Sequence, residues 1–255
     1  MGRLKIIDQT NVERIIVVGD IHGDYNSFKR VIELFNPDGD VIVFLGDYAD
    51  RGDMGVEVIE GINEFMENYD DRIIALKGNH EDYRDGEPYF QPCTLIWEAD
   101  IKRGGWRNYY HSFLTRFFNK LFLAAIYRNI LFVHGGVSSK IKSIRDLDYP
   151  NPEIEEDVLW SDPYDGEDEI PNYRGAGVMF GPDISEKICK NLNVNYIVRS
   201  HEPRKAFRKP FIEHDGRIIT VSSTRVYGGT PFIIAIPIKE NIKNGYELDK
   251  YVINL

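Results

Sequence analysis

The stretch RIIVVGDIHGDYNSFKRVIELF at 14–35, continued by VIVFLGDYADRG at 41–52, decides the fold. Arg14 to Val18 is a short β-branched run, and after a glycine-containing loop Phe28, Val31, Ile32 and Phe35 recur at i, i+3, i+4 and i+7, the apolar stripe of a helix. The pattern then repeats. Val41 to Leu45 is a fully apolar strand, Val56, Ile59, Ile62, Phe65, Met66 and Tyr69 form a second helical stripe, and Ile73 to Leu76 is a third strand. Two successive βαβ units imply a parallel sheet with right-handed crossovers.

Residues 105 to 128, rich in aromatic and long apolar side chains, predict helices, after which Ile130 to Val133 returns as a strand. A helix from about Ile184 to Leu192 leads into a strand at Tyr196 to Val198. Beyond Pro210 hairpins take over: Phe211 to Ile219 turns at Asp215-Gly216, a two-residue turn signal, and Pro231 to Ile238 and Leu248 to Ile253 are further strand candidates. The expected architecture is α/β, with two packed mixed β-sheets flanked by helices, a βαβαβ front and an antiparallel back. No repeat, low-complexity tract or Gly/Ser/Pro-rich linker interrupts 1–255, so one domain is expected.

With 42% hydrophobic and 13% aromatic residues, the 255-residue chain has the composition of a soluble globular protein. At this size folding removes roughly 70 to 75% of the unfolded surface, so disulfide staples are not required. Cys93 and Cys189 have no CxxC spacing and read as reduced core thiols. The longest apolar run, Leu121 to Tyr127, has seven residues, whereas a membrane span needs about 20. No signal-peptide pattern is present either, which makes the expected location cytoplasmic and excludes a membrane partner. Thirty-one Lys and Arg against 41 Asp and Glu give a net charge of −10, the wrong sign for a nucleic-acid partner. A cleft with local cations can still take a small anion.

The front strands end in turns dense with metal-binding side chains: Gly19-Asp20-Ile21-His22-Gly23, Gly46-Asp47-Tyr48-Ala49-Asp50-Arg51-Gly52 and Gly78-Asn79-His80-Glu81. Later strands end alike, in His134-Gly135-Gly136 and Arg199-Ser200-His201. In a parallel sheet such ends share one edge, where open α/β folds place their ligands. Asp20, His22, Asp47, Asn79, His134 and His201 would then form a set of hard oxygens and imidazoles without thiolate, suited to Mn, Fe or Zn. Six ligands exceed what one catalytic ion with open positions needs. Two ions about 3.5 to 4 Å apart, sharing one carboxylate, would use them all and clamp the attacking and leaving oxygens of a phosphoryl transfer. His214 rivals His201 but adjoins the Asp215-Gly216 turn and reads as a solvated hairpin tip. His111, among Tyr109, Tyr110 and Phe113, reads as a packed or surface-helix residue, and Asp162 is equally well explained as a loop cap.

In order, GDIHG at 19–23, GDYADRG at 46–52, GNHE at 78–81, HGG at 134–136, SDP at 161–163 and RSHE at 199–202 resemble the motifs of the phosphoprotein phosphatase family, the serine/threonine protein phosphatases among the calcineurin-like metallophosphoesterases. The resemblance runs from about Arg14 to Gly229 and takes in RGAGVMFG at 174–181. It implies the metallophosphoesterase fold and two divalent metal ions, Mn first, with Fe or Zn as alternatives. Asp20, His22 and Asp47 would hold one ion, and Asp47, Asn79, His134 and His201 the other, with Asp47 bridging. It implies His80 as general acid oriented by Asp50, Arg51 and Arg174 as the grip on phosphate, and Tyr227 as an active-site tyrosine. A hydroxide bridging the metals would attack phosphorus without a phosphoenzyme.

The implied activity is hydrolysis of phosphoserine and phosphothreonine in a phosphoprotein substrate; the motifs name no regulatory subunit. Phosphate monoesters are extremely slow to hydrolyse in water, with enzymatic accelerations approaching ~10²¹. A departing serine alkoxide needs a proton, which an imidazolium held by a carboxylate can donate. Where the family reads roughly SAPNYC, this chain has Ser223-Thr224-Arg225-Val226-Tyr227-Gly228, so a toxin-reactive cysteine is replaced by Gly228. Two other functions compete. A dinucleoside tetraphosphate hydrolase shares much of the metal site, but DYADRG, GNHE and RSHE have the protein-phosphatase form. A non-catalytic phosphoprotein-binding module is expected to lack a ligand or the acid, and none is missing.

Overall fold

The computed structural model describes residues 2–7 and 10–255. Its apolar runs fall into two main sheets. The front sheet has the order Val252–Asn254, Phe232–Pro237, Arg14–Val18, Asp40–Phe44, Ile73–Ala75. Its last three strands are parallel and are linked by the helices Tyr25–Leu34 and Gly55–Tyr69, as the periodicity predicts. The back sheet has the order Leu4–Ile6, Ala124–Tyr127, Ile130–Val133, Tyr196–Arg199, Ile218–Thr220, Phe211–Glu213.

Strand residues alternate between two apolar environments, and this alternation creates the layers. Ile15, Val17, Val41 and Val43 meet Phe132, Val198 and Ile219 in a core between the sheets. Ile16, Val18, Ile42 and Phe44 turn the other way, onto Phe28, Val56 and Ile59 of the front helices. Leu131, Val133 and Ile197 pack outward on Val158 and Ile188, which belong to the helices Pro152–Trp160 and Pro182–Leu192. The order is helix, sheet, sheet, helix. Full burial of each such side chain contributes roughly 1.5 to 3 kcal/mol. The helices start where their caps put them: Asp24 accepts from the Ser27 amide at 3.2 Å, and Asn151 accepts from Ile154 at 2.9 Å with Pro152 at the first helical position.

Several expectations need correction. The back sheet is not antiparallel throughout, since Ile130–Val133, Tyr196–Arg199 and Ile218–Thr220 run parallel. Phe232–Pro237 joins the front sheet, antiparallel to Arg14–Val18. The segment read as helical through 128 ends its helices at Phe118, and Ala124–Tyr127 is a strand, because a seven-residue apolar run does not by itself distinguish helix from strand. The hairpin turn spans four residues rather than two, since Glu213 pairs with Ile218 around a short 3₁₀ turn at His214–Gly216. The candidate strand from Leu248 begins only at Val252, preceded by the 3₁₀ helix Gly245–Tyr251. Among the described residues no helix is long and apolar enough to cross a membrane, and Cys93 and Cys189 are free thiols.

Candidate active site

The turns that carry the candidate ligands leave the strand ends through unusual backbone. His22, Asp47, Asp50, Arg51 and His201 all have positive φ, between 50° and 70°, a conformation that costs energy for side chains with a Cβ and concentrates where function requires it. Two glycines let these turns approach one another. A Cβ on Gly46, whose φ is +108°, would lie 2.5 Å from the Gly78 nitrogen, and one on Gly78 would lie 2.3 Å from Asp47 Oδ1. Glu81 ties the two turns together, accepting from the amides of Asp47 at 2.9 Å, Tyr48 at 3.0 Å and Gly78 at 2.9 Å. Burial nevertheless pushes its carboxyl up to about 7.

All six expected metal donors come together, drawn from both sheets rather than from one edge. The His22 Nδ1–H donates to the Ala49 carbonyl at 3.0 Å. This fixes the tautomer, so the Nε2 lone pair faces Asp20 Oδ2 at 3.8 Å and Asp47 Oδ2 at 3.5 Å. His134 repeats the device: its Nδ1–H donates to Leu45 O at 2.9 Å. The Nε2 lone pair then faces Asn79 Oδ1 at 3.0 Å, His201 Nδ1 at 3.1 Å and Asp47 Oδ1 at 3.4 Å. The two oxygens of Asp47 thus address two separate groups.

Burial keeps the three imidazoles neutral, lowering His22 and His134 to about 4 and His201 well below its usual value. Burial, reinforced by Asp20 and Glu81, drives the Asp47 carboxyl well above its usual range. Converging lone pairs, crowded carboxylates and a buried atom without a hydrogen-bond partner, Asp20 Oδ2, form a donor set that fits divalent cations. His22, Asp47 and His80, and separately Asp47, His134 and His201, each bring ligand atoms within 4.8 Å of one another.

His80 also has a second engagement. Its Nδ1–H donates to Asp50 Oδ2 at 2.8 Å, leaving Nε2 as the nitrogen available to the cleft that His80 lines. Asp50 Oδ1 accepts from the amides of Thr94 and Leu95 at 2.6 and 2.9 Å. Burial alone would raise the Asp50 carboxyl, but the hydrogen bond from His80, its charge and the two amides hold it below the usual carboxylate range.

Arg51, Arg174 and Tyr227 line the same cleft. Tyr227 sets its ring edge-on to His22 at 5.5 Å. Arg174 Nε donates to Asp162 Oδ2 at 2.6 Å. Asp162 is therefore more than a loop cap: buried between Arg174 and Arg199, whose Nη2 lies 2.8 Å from its Oδ1, its carboxyl is held low despite burial. His214 stands outside the site. It is buried rather than solvated, 3.0 Å from Ser185 Oγ and 3.0 Å from the Tyr164 carbonyl.

Sequence reasoning missed Phe90, whose ring lies 4.3 Å from that of His80. It also missed Gln91 and Arg204, which line the cleft. None carries a local signal, because each reaches the site through a loop whose path is set by tertiary contacts.

Two packed sheets between helices, with this donor set at the seam of their strand ends, constitute the metallophosphoesterase fold. Residues 13–205 match the model of the calcineurin-like phosphoesterase family, and the chain belongs to that family. Among its relatives are serine/threonine protein phosphatase 5 of Homo sapiens, 31% identical over 241 residues that cover 89% of this chain and 46% of the relative, and the catalytic chain of serine/threonine protein phosphatase 6 of Caenorhabditis elegans, 33% identical over 201 residues that cover 74% and 58%. A solved serine/threonine phosphatase from Saccharomyces cerevisiae, with similarity to human PP5, superposes with a TM-score of 0.77 at 24% identity over 99% of this chain and 82% of that one. The chain spans between 42% and 66% of the length of the curated relatives it matches.

Proposed function

We propose that the chain is a metal-dependent serine/threonine protein phosphatase that transfers the phosphoryl group of phosphoserine or phosphothreonine directly to water. The observation that carries this reading is the His80–Asp50 pair, at 2.8 Å, whose His80 ring belongs to one of two donor groups that share Asp47. Asp20, His22 and Asp47 would hold one divalent ion, and Asp47, Asn79, His134 and His201 the other. When bound, such a pair supplies Lewis acidity toward phosphoryl oxygens and a nucleophile at neutral pH.

The chain's own residues supply the rest. His80 holds a proton at Nε2 for the departing alkoxide, and Asp50 both orients the ring and stabilises its charged form. Arg51 and Arg174 offer planar forks to the non-reacting phosphate oxygens, with Asp162 holding the Arg174 stem in place. Tyr227 closes the cleft over His22. The names of the relatives support a phosphoprotein as the substrate. The test is to strip and reload the protein with Mn²⁺ and to compare a phosphoserine peptide with diadenosine tetraphosphate. Activity is expected to vanish on chelation, to return with metal and to favour the peptide in kcat/KM. A higher kcat/KM for the dinucleotide would overturn the substrate assignment, and full activity in metal-free protein would overturn the chemistry.

A further inference from the structure

Four cationic side chains line the cleft, but they are not equivalent. Arg174 is paired with Asp162 at 2.6 Å, a carboxylate it shares with Arg199. Lys205 is neutralised by Glu213 at 2.6 Å and lies 3.5 Å from Glu202. Arg51 reaches only the Gln91 carbonyl, at 3.4 Å, and Arg204 lies over the Tyr227 ring at 5.7 Å. Among the described residues neither has a carboxylate partner. The proposed function assigns Arg51 and Arg174 to the reacting phosphate, which leaves Arg204 as a cleft-lining cation with no assigned anion in a chain of net charge −10. Arg208 and Lys209 are exposed on the same loop. That loop is tied to the segment carrying Tyr227 by the Thr230 amide, which donates to Phe207 O at 2.9 Å.

We propose that Arg204 is a specificity-determining residue, the start of an anion subsite that selects phosphoserine or phosphothreonine flanked by acidic side chains. The inference rests on the protein-phosphatase reading and adds the substrate class to it. Three exposed cations on one loop, Arg204, Arg208 and Lys209, match an extended acidic peptide, whose charges repeat along a chain, better than a compact dinucleotide whose phosphates adjoin the reacting one. Local cations of this kind act on a nearby anion although the global field has the opposite sign.

The experiment compares kcat/KM for three phosphoserine peptides, with acidic, neutral or basic flanks, in the metal-loaded wild type, Arg204→Gln and Arg204→Glu. A rim-exposed pair predicts a preference of about three- to fivefold for the acidic flank at low salt. It should collapse at about 1 M salt, where the screening length falls to about 3 Å. Arg204→Gln should level the three peptides, and Arg204→Glu should invert their order, which a merely structural role for Arg204 would not do. Equal rates in the wild type, or a preference that survives both substitutions, would overturn the subsite while leaving the phosphatase reading intact. Hydrolysis of p-nitrophenyl phosphate with no turnover of any peptide would overturn the protein-phosphatase reading itself. A dependence on Arg204 seen with diadenosine tetraphosphate but not with peptides would replace the peptide by the dinucleotide as occupant.

Discussion

The floor and the rim of the cleft are built on different principles. At the floor, His22 and His134 each give one nitrogen to a main-chain carbonyl, of Ala49 and Leu45, so the sheet ends dictate where the other nitrogen points. At the rim, Arg51 and Arg204 reach into solvent from loops, with no carboxylate among the described residues to fix them. A floor anchored to the backbone holds a reaction constant, whereas a rim of long side chains leaves substrate choice open to change. Asp162 joins the two regions, since it is buried with the floor yet grips Arg174 of the rim.

The largest effect should come from the floor. His80→Asn is expected to lower kcat on alkyl phosphates by about 10² to 10⁴, the range for a general acid, with a smaller loss on p-nitrophenyl phosphate, whose leaving group needs less protonation. Equal losses on both substrates would place His80 among the ligands or the structural residues. Next comes the link between the regions. Asp162→Asn removes one partner of a buried ion pair and should cost about 3 to 5 kcal/mol of stability. Because the Asp162 carboxyl is depressed in the folded state, its contribution is fully present above its ordinary value near 3.8 and is lost as pH falls through the lower folded value. The variant should therefore be less stable in urea at pH 7, and the gap to wild type should narrow as pH falls below the ordinary value of 3.8. A gap that stays constant across this range would show that the loss is one of packing. The smallest contrast concerns the two histidines. His201→Ala should reduce metal occupancy, whereas His214→Ala should retain metal and lose only about 1 to 2 kcal/mol through its two hydrogen bonds. Metal analysis that ranked them the other way would remove His201 from the ligand set.

The placement of the floor residues was legible in the sequence because each candidate ligand lies close to a strand end, and apolar runs followed by Gly-Asp or Gly-Asn mark several such ends directly. Legibility failed where the decision was tertiary. Nothing in Ile130 to Val133 or Tyr196 to Val198 says that they belong to a second sheet, so six donors expected on one edge lie at a seam. His214 sits beside a turn that by itself reads as solvent-exposed, and it is buried only because Ser185 and Phe180 close over it. Gln91 and Arg204 reach the cleft, and Phe90 the His80 ring, from loops that carry no periodicity.

The turn Asn79–Glu81 is a single 3₁₀ turn, with three residues per revolution and side chains about 120° apart. Asn79 looks toward His134, His80 toward Asp50, and Glu81 back to the amides of Asp47 and Tyr48. Three neighbours thus hold three unrelated posts, and one inserted or deleted residue would rotate all of them out of place at once. A change of length at this turn therefore disturbs three contacts together, whereas the loops around it can vary one contact at a time.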